Sequence, residues 1–282
     1  MPQFSLALDS SQIVSFMECP QKWAYSYKMN LEPKERSHEA FSKGTIIHGL
    51  LERYYRFLDQ GFDKAQGLAV ESFKDERKDL GVSNETFVAL VSRFLLYCQL
   101  HKDDLVPLVH NGKKCIELGF SLPLVDTPDF LFVLEGRIDL GAQFDNFVVV
   151  VDHKSQSRHS KFYSHAIQFL NYCLALNTSR MMVNVIGLQD KFKPDYIFRQ
   201  LFYYSPEKLR QWKEKLILIF YRIADSIAHE EFIRNESQCP GKYNYPCDFC
   251  KICEETDPEI VSNIIRIKYK EREPWTPWSE EE

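Results

Sequence analysis

The stretch of sequence that decides the fold is residues 130–156, which read FLFVLEGRIDLGAQFDNFVVVVDHKSQ. Two runs of β-branched and aromatic residues flank Asp145–Asn146, which is typical of two strands joined by a two-residue hairpin turn. The run VVVV is apolar on both faces of its strand, and this indicates a buried central strand. A buried strand should not end in charged residues without a reason, so the charges that follow the run are candidates for chemistry.

The predicted hairpin turn sets Asp139 opposite Asp152. Directly opposite side chains lie roughly 4.5–5.5 Å apart at Cβ, and like charges there repel each other. Mg²⁺ or Mn²⁺ would relieve that repulsion because such ions prefer oxygen ligands. Lys154 projects from the same strand face as Asp152, since side chains alternate along a strand. Two metal-binding carboxylates and a lysine suit phosphodiester hydrolysis, and a solvent-facing hairpin with ordinary surface charges is the alternative.

Helical and strand patterns alternate around the hairpin. The helical segments, the first capped by Ser11, are about 11–27, 43–58, 63–78, 85–102, 160–176 and 207–229. The strand segments are about 115–124, 130–144, 147–155, 181–188 and 196–204. Residues 29–40 are polar and are expected to form a loop. This order predicts an α/β protein with an N-terminal helical elaboration and a cysteine-rich C-terminal segment.

The bulk composition excludes several classes of protein without indicating a function. The chain has 282 residues, of which 44% are hydrophobic and 27% charged, so disorder, collagen and a disulfide miniprotein are excluded. The net charge of −5 means that any nucleic-acid surface would be a local patch. No run of about 18 apolar residues and no basic-then-apolar leader is found, so we expect no membrane association and a cytoplasmic, nuclear or viral-host location.

Four of the eight cysteines lie close together near the C-terminus: Cys239, Cys247, Cys250 and Cys253. Disulfides are not expected in a reducing compartment, so such a cluster indicates a metal. The spacing C-x7-C-x2-C-x2-C differs from the two separated C-x2-C knuckles of a zinc ribbon. The remaining cysteines include three with apolar neighbours that we expect to be core residues: Cys98, Cys115 and Cys173.

Taken in order along the chain, five motifs resemble those of the PD-(D/E)XK nuclease superfamily, and within it the RecB-like and AddB-like branch. The motifs are SSQIVSFMECPQKWAYSY, GTIIHGLLERYY, EGRID, VVVVDHKS and QFLNY. The resemblance covers about residues 11–253 and implies a restriction-endonuclease-like core with a mixed central sheet flanked by helices.

A division of the chain follows from the same resemblance. It implies one RecB-like nuclease domain over 1–265 and leaves 266–282 as an acidic tail. Within that domain we expect a helical part at about 10–105, a catalytic α/β core at about 114–230 and a cysteine segment at 239–253.

The resemblance also implies the catalytic residues. Asp139 and Asp152 would bind Mg²⁺ or Mn²⁺, and Lys154 would be the catalytic lysine. His48, in G-x-x-x-H, would be a further metal ligand, while a histidine packed in the core is the alternative.

Further residues are expected to support this site. Gln168 and Tyr172 share one helix face and would contact DNA or support the active site, although an amphipathic helix face explains them nearly as well. Glu117 is a weaker candidate whose strand could bring it near the metal, and a surface role explains it equally well. A positive rim beside the site is expected from Arg53, Arg56, Arg158 and Lys161.

The same branch often carries a [4Fe–4S] cluster held by one cysteine before the nuclease core and three after it. Cys19 fits the early position. The late spacing departs from the usual C-x2-C-x5-C of the branch, so five thiols compete for four places. The favoured ligands are Cys19, Cys239, Cys247 and Cys253. Cys250 is the alternative ligand, and zinc is the alternative metal.

These expectations together indicate a metal-dependent DNA nuclease. The branch favours an exonuclease acting on single-stranded DNA or DNA ends in repair, recombination or phage DNA processing. A helicase or recombination partner would be a separate chain, since no G-x-x-x-x-G-K-[ST] motif is found. The alternative is a catalytically inert iron–sulfur or zinc-stabilised DNA-binding or interaction scaffold. The intact set of His48, Asp139, Asp152 and Lys154 argues against an inert protein.

Overall fold

A computed structural model describes residues 3–35, 39–74, 76–102, 104–156, 166–189, 191–241 and 246–278. The chain forms two compact units, each built from separated segments. The cysteine unit contains Met1–Arg36, Ser121–Glu135 and Trp212–Ser279, and the hairpin unit contains Ser37–Phe120 and Gly136–Gln211. The single domain expected over 1–265 stays a prediction.

The strands of the described residues are β1 (Phe4–Leu8), β2 (Leu31–Pro33), β3 (Leu105–Pro107), β4 (Val109–His110), β5 (Lys113–Lys114), β6 (Ile116–Asp126), β7 (Phe130–Phe144), β8 (Phe147–Gln156), β9 (Arg180–Gly187), β10 (Ile197–Tyr203) and β11 (Tyr269–Glu271). The helices are α1 (Ser10–Glu18), α2 (Pro20–Trp23), α3 (Glu39–Phe57), α4 (Phe62–Phe73), α5 (Glu76–Asp79), α6 (Asn84–Leu100), α7 (Ile167–Ala175), α8 (Pro206–His229), α9 (Cys250–Glu254) and α10 (Pro258–Lys268). None of the helices described here is long and apolar enough to cross a membrane.

Strands β7 and β8 form the predicted hairpin. Their antiparallel register runs from Phe144 opposite Phe147 to Leu140 opposite Val151, so the expected register is confirmed. Asp145 takes a φ of 48° in the turn, a left-handed conformation that aspartate tolerates better than most residues. The register brings Asp139 and Asp152 to the same end of the hairpin.

The hairpin lies within a mixed sheet. Strand β8 pairs in parallel with β9, and β9 pairs antiparallel with β10. Strands β3 and β6 pair with β7, and β1 pairs in parallel with the first residues of β7. Val149, Val150 and Val151 are fully buried, as expected of a central strand with both faces covered. The predicted α/β class, with a mixed central sheet flanked by helices, is confirmed.

Helix α3 follows from its apolar positions. Ile46, Ile47, Leu50 and Leu51 are buried, and their i, i+3 and i+4 spacing gives the helix one apolar face. That face packs in the core of the hairpin unit with residues of α4, α6 and β8. His48 lies among these positions but is only half-buried, so its imidazole remains available for a site.

The N-terminal helical segment differs from its prediction at its cap and at Cys19. Its N-cap is Asp9, whose Oδ1 accepts hydrogen bonds from the backbone N–H groups of Ser11 (2.6 Å) and Gln12 (2.9 Å), so the prediction that Ser11 is the cap is wrong. Cys19 is extended, with φ −162° and ψ 109°, and interrupts the segment; helical backbone resumes in α2 and continues as a π-helix over Ala24–Lys28, close to the predicted end at about residue 27. Proline disfavours helical backbone in the residue before it, so Pro20 explains this break.

Six strands among the described residues were not predicted: β1, β2, β3, β4, β5 and β11. Strand β2 lies in the expected loop 29–40 and pairs antiparallel with β11 in the cysteine unit. Because strands of two or three residues show no usable alternation, the sequence pattern cannot reveal the shortest of them. Residues 266–271 belong to α10 and β11, and the acidic tail expected over 266–282 stays a prediction. Residues 279–282 of that tail lie outside the described residues.

A buried polar network joins helices to the sheet inside the hairpin unit. The hydroxyl of Tyr97 accepts hydrogen bonds from Asn184 Nδ2 (2.6 Å) and Arg199 Nη2 (2.7 Å), and lies 2.8 Å from the hydroxyl of Tyr55. Asn184 is completely buried. A buried hydrogen-bond donor without an acceptor destabilises the folded state. The Tyr97 hydroxyl accepts from two side chains, so it is the centre of this network.

We therefore expect Tyr97→Phe to lower the free energy of unfolding by about 1–3 kcal/mol, because two buried donors lose their acceptor. Tyr203→Phe is the matched control, since that tyrosine is 65% exposed and its change should have almost no effect. Urea unfolding monitored by circular dichroism measures both variants. Equal midpoints for Tyr97→Phe and wild type would contradict the role of the network.

Candidate active site and cysteine site

Three potential metal ligands converge in the hairpin unit. One ligand atom each from His48 on α3, Glu117 on β6 and Asp139 on β7 lie within 4.8 Å of one another, the one such group among the described residues. His48 Nδ1 is 3.7 Å from Asp139 Oδ2. Two carboxylates and an imidazole form a donor set that suits a hard or borderline divalent cation.

Glu117 reaches this point through an unusual backbone conformation. Its φ is 49°, inside strand β6, where an ordinary residue would be extended. A left-handed conformation costs a non-glycine residue roughly 1–2 kcal/mol. Such outliers concentrate at functional sites, so the strain supports a functional role for Glu117. Strict strand alternation does not predict this conformation, which explains why Glu117 was the weaker candidate in the sequence.

The electrostatics of the three residues favour a bound cation. Burial raises the pKa of Glu117, and the nearby charges of Asp139 and Glu52 raise it further. Burial also raises the pKa of Asp139. In contrast, burial lowers the pKa of His48, which keeps the imidazole neutral as a metal ligand requires. The donor set therefore fits a divalent ion, whose charge would offset the repulsion between the carboxylates.

Asp152 and Lys154 form the second part of the site. Lys154 Nζ lies 3.0 Å from Asp152 Oδ1 and 2.9 Å from Oδ2, so the lysine points the same way as Asp152, as expected. Asp152 is 1% exposed, and its pKa is raised by burial and by the charge of Asp139. Asp152 is thus close to Asp139, but its oxygens contact the lysine and it is not in the group formed by His48, Glu117 and Asp139.

Gln168 and Tyr172 continue the contacts of the lysine. Lys154 Nζ donates to Gln168 Oε1 (3.2 Å), and Gln168 Nε2 donates to the Tyr172 hydroxyl (2.6 Å). The Tyr172 pKa is raised well above its usual range by burial and then by the charges of Asp139 and Asp152. The helix face that carries these two residues therefore supports Lys154 from the side opposite Asp152.

A cavity of about 850 Å³ opens beside the metal-ligand group and includes Arg53 and Arg137 in its wall. Arg137 was not singled out in the sequence, although it stands two residues before Asp139 and so shares its strand face. Arg56, expected in a positive rim, pairs with Glu52 at 3.0 Å. Arg158 and Lys161, the other expected members of that rim, lie outside the described residues.

The cysteine unit contains a separate cavity of about 280 Å³. All five candidate thiols line it: Cys19, Cys239, Cys247, Cys250 and Cys253. The expectation that Cys19 lies beside the late cysteines is confirmed. Cys98, Cys115 and Cys173 are buried core residues, as expected.

Hydrogen-bond donors surround the sulfurs of this cavity. The backbone N–H of Asn235 donates to Cys19 Sγ (3.3 Å), and Arg234 Nη2 lies 3.8 Å from Cys239 Sγ. Arg234 Nη1 also donates to the carbonyl of Cys253 (2.6 Å). Sequence reasoning missed both Arg234 and Asn235, because neither stands in a cysteine motif.

The thiol of Cys250 differs from the others in its partner. It donates to Glu254 Oε1 at 3.2 Å, and this hydrogen bond is the main cause that raises its pKa to about 11. Burial is the main cause that raises the pKa of Cys253 to about 11; the charge of Arg234 lowers it, and the thiols of Cys247, Cys19 and Cys239 raise it further. The thiols of Cys239 and Cys247 also raise the pKa of Cys250, so the feature that distinguishes Cys250 is its hydrogen bond to Glu254.

One comparison with known proteins agrees with the fold. A model of the PD-(D/E)XK nuclease superfamily matches residues 8–254. A search of curated proteins finds no match. One similar solved structure, "Crystal structure of SSO0001", is 14% identical, with 88% of this chain and 85% of that chain covered and a TM-score of 0.38. That similarity is too low to bear on the site.

The buried carboxylates lead to a prediction about metal-free protein. The pKa of Glu117 is raised to about 8, so the folded state holds this proton to higher pH than the unfolded state. Stability should therefore fall as the pH rises from about 4.3, the ordinary glutamate value, towards 8. In EDTA, Glu117→Gln should stabilise the protein by about 1 kcal/mol or more near pH 8, and by little near pH 5.

Thermal unfolding in EDTA across that pH range measures the effect. The control is Glu71→Gln, because Glu71 is an exposed residue of α4 whose change should alter the pH dependence little. With Mg²⁺ added, wild type should gain more stability than Glu117→Gln, because ligand binding stabilises the folded state. A difference between Glu117→Gln and wild type that is the same at all pH values would contradict the proposed strain between carboxylates.

Proposed function

Because the chain belongs to the PD-(D/E)XK nuclease superfamily, we propose that it is a Mg²⁺- or Mn²⁺-dependent DNA nuclease of the RecB-like and AddB-like branch. One observation carries this proposal: His48, Glu117 and Asp139 converge within 4.8 Å. The ammonium of Lys154 lies close by, held by Asp152, whose pKa responds to the charge of Asp139. A cation site beside a fixed positive charge suits hydrolysis of a phosphodiester.

His48, Glu117 and Asp139 would hold the divalent ion. When bound, Mg²⁺ or Mn²⁺ supplies positive charge that polarises a phosphoryl oxygen and favours deprotonation of water. The neutral imidazole of His48 offers a lone pair, and the two carboxylates offer negative oxygens. Asp152 would contribute in two ways, since its charge adds to that of Asp139 and both its oxygens contact Lys154 Nζ.

Lys154 would stabilise the charge that develops on the reacting phosphate. Its ammonium contacts Asp152 on one side and Gln168 on the other, so its position is fixed before substrate arrives. Positive groups that need no reorganisation during reaction lower the barrier most effectively. Gln168 and Tyr172 would act as positioning residues for the lysine, with Gln168 bridging Lys154 and the Tyr172 hydroxyl.

For the substrate and the mode of cleavage, we propose that the protein is an exonuclease acting on single-stranded DNA or DNA ends. It rests on the resemblance of GTIIHGLLERYY, which contains His48, to the exonuclease-like members of the branch. Repair, recombination or phage DNA processing would then be the setting. A helicase or recombination protein would be the partner that presents the strand.

For the cysteine unit we propose a [4Fe–4S] cluster held by Cys19, Cys239, Cys247 and Cys253. A tetrahedral zinc site, with Zn–S bonds of about 2.3 Å, would bring its sulfurs within about 4 Å of one another. Within the described part of the chain, no three cysteine sulfurs lie within 4.8 Å of one another. The cavity of about 280 Å³ that these thiols line together with other residues also has room for more than a single ion. Both observations favour a cluster over zinc.

The nuclease proposal predicts that Asp152→Asn and Lys154→Ala each reduce cleavage at least about 100-fold, because each removes a charge from the reacting centre. End-labelled single- and double-stranded DNA with Mg²⁺ or Mn²⁺ is the assay, and the product ladder distinguishes exonuclease from endonuclease cleavage. Circular dichroism and DNA binding should stay close to wild type. Asp195→Asn, at an exposed aspartate of the same unit, is the control. Cleavage by Asp152→Asn at nearly the wild-type rate would overturn the mechanism.

The cluster proposal predicts that anaerobically purified protein is brown and contains iron and acid-labile sulfide. Cys253→Ala should lose iron and thermal stability, because metal ligation in such a site supports folding. Cys250→Ala is the matched control and should retain both, since its thiol pairs with Glu254. Wild-type protein that contains one equivalent of zinc and no iron would establish the zinc alternative instead.

A further inference from the structure

Arg53 is held in a fixed orientation in the wall of the active-site cavity. Its Nη2 forms an ion pair with Glu76 Oε1, and its Nη1 donates to the carbonyl of Gly49 at 3.4 Å. Its guanidinium carbon lies 4.4 Å from the centre of the Phe73 ring, which is a cation–π contact. Three different groups therefore orient one side chain, five residues after His48 on the same helix.

Gly49 makes this arrangement possible. A glycine inside a helix lowers helix stability relative to alanine. The presence of Gly49 in α3 is therefore explained by its packing and not by helix propensity. A Cβ at this position would lie 2.3 Å from Phe73 Cε2 and 2.9 Å from Arg53 Nη1. Any other residue would push both groups away from the helix. The glycine therefore provides the space in which Phe73 and Arg53 pack.

The contacts leave part of the guanidinium facing the cavity. Arginine has five N–H donors in a planar fork, and Glu76 and Gly49 engage donors on its two terminal nitrogens. Phe73 is 2% exposed, so it covers one face of the guanidinium and is itself closed to ligands. The Arg53 side chain is 21% exposed. Its other face and outer edge are thus open to the space that the metal-ligand group also borders.

Charge explains why an arginine is needed there. The cavity wall carries the acidic side chains of Glu52, Glu117 and Asp139 near His48, and those of Glu76 and Asp79 near Arg53. A strand with one negative charge per phosphate would be repelled by such a wall. A divalent ion would neutralise the two carboxylates of the ligand group, but it would leave the charges of Glu76 and Asp79 in place. Arginine binds phosphate through two parallel hydrogen bonds, a geometry that lysine cannot provide.

We propose that Arg53 binds a phosphate of the substrate strand other than the one that is cleaved, and so positions the strand in the active site. This inference rests on the proposed nuclease function and adds a substrate-binding residue to it. Glu76 and Phe73 are the positioning residues of Arg53. The bound group is either an internal phosphodiester or a terminal phosphate, since both present the same oxygens.

The test compares Arg53→Gln and Arg53→Lys with Arg210→Gln. Arg210 is the matched control because it also pairs with a glutamate, Glu207, has a side chain that is 59% exposed and lies outside the cavity wall. Binding of a fluorescent single-stranded oligonucleotide is measured with Ca²⁺ in place of Mg²⁺, over a range of salt concentrations. Cleavage with Mg²⁺ gives KM and kcat, and thermal unfolding checks that each variant is folded.

Arg53→Gln should weaken binding about tenfold and reduce the slope of log affinity against log salt by roughly 0.7, the value for one phosphate contact on a single strand. KM should rise while kcat changes little, and Arg53→Lys should restore part of the affinity. Oligonucleotides with a 5′-phosphate or a 5′-hydroxyl distinguish the two phosphate sources. A wild-type preference for the 5′-phosphate that disappears in Arg53→Gln supports a terminal phosphate, and an equal loss for both supports an internal one.

An Arg53→Gln protein that is folded and matches Arg210→Gln in affinity and salt slope would overturn the role of Arg53 alone. Wild-type protein that neither binds nor cleaves DNA would overturn the nuclease proposal, and this inference with it. The wild-type result therefore separates the two failures.

Discussion

The carboxylate of Asp139 is the group on which the arrangement of the active site depends. Its Oδ2 accepts the backbone N–H of His153 at 2.7 Å, just past the last paired residues of the β7–β8 hairpin. The same oxygen lies 3.7 Å from His48 Nδ1 on α3. One side chain within β7 thus joins the sheet ladder to the helix. Asp139 consequently has a structural role besides the metal-binding role proposed for it.

Burial of several carboxylates at one point is costly, and this cost explains the other features of the site. Desolvation raises the pKa of Glu117, Asp139 and Asp152 alike. Lys154 offsets part of that cost at Asp152, and a divalent cation would offset the rest at Glu117 and Asp139. A site that is strained without its cation is well suited to bind one, because relief of repulsion adds to the binding free energy.

The cysteine unit shows how a local backbone rule brings distant residues together. Pro20 excludes its predecessor from the helix, so Cys19 is extended and its thiol reaches the cavity that the late cysteines also line. The pairing of β2 with β11 in the same unit likewise joins residues from the two ends of the chain. Loops that close over such a sequence separation are entropically expensive, and a ligated cluster would compensate for that expense.

The sequence by itself determined the hairpin, its register and the positions of Asp139, Asp152 and Lys154, because strand alternation and a two-residue turn are local properties of the chain. Its motif order also indicated the family. The tertiary structure decided that Glu117 joins His48 and Asp139, since this needs a left-handed residue inside a strand, which no alternation pattern predicts. It likewise decided the position of Arg53. Gly49 leaves space beside α3, and only the tertiary structure shows that Phe73, from another helix, packs into that space. Local periodicity thus specifies the elements, whereas contacts between elements select which side chains meet.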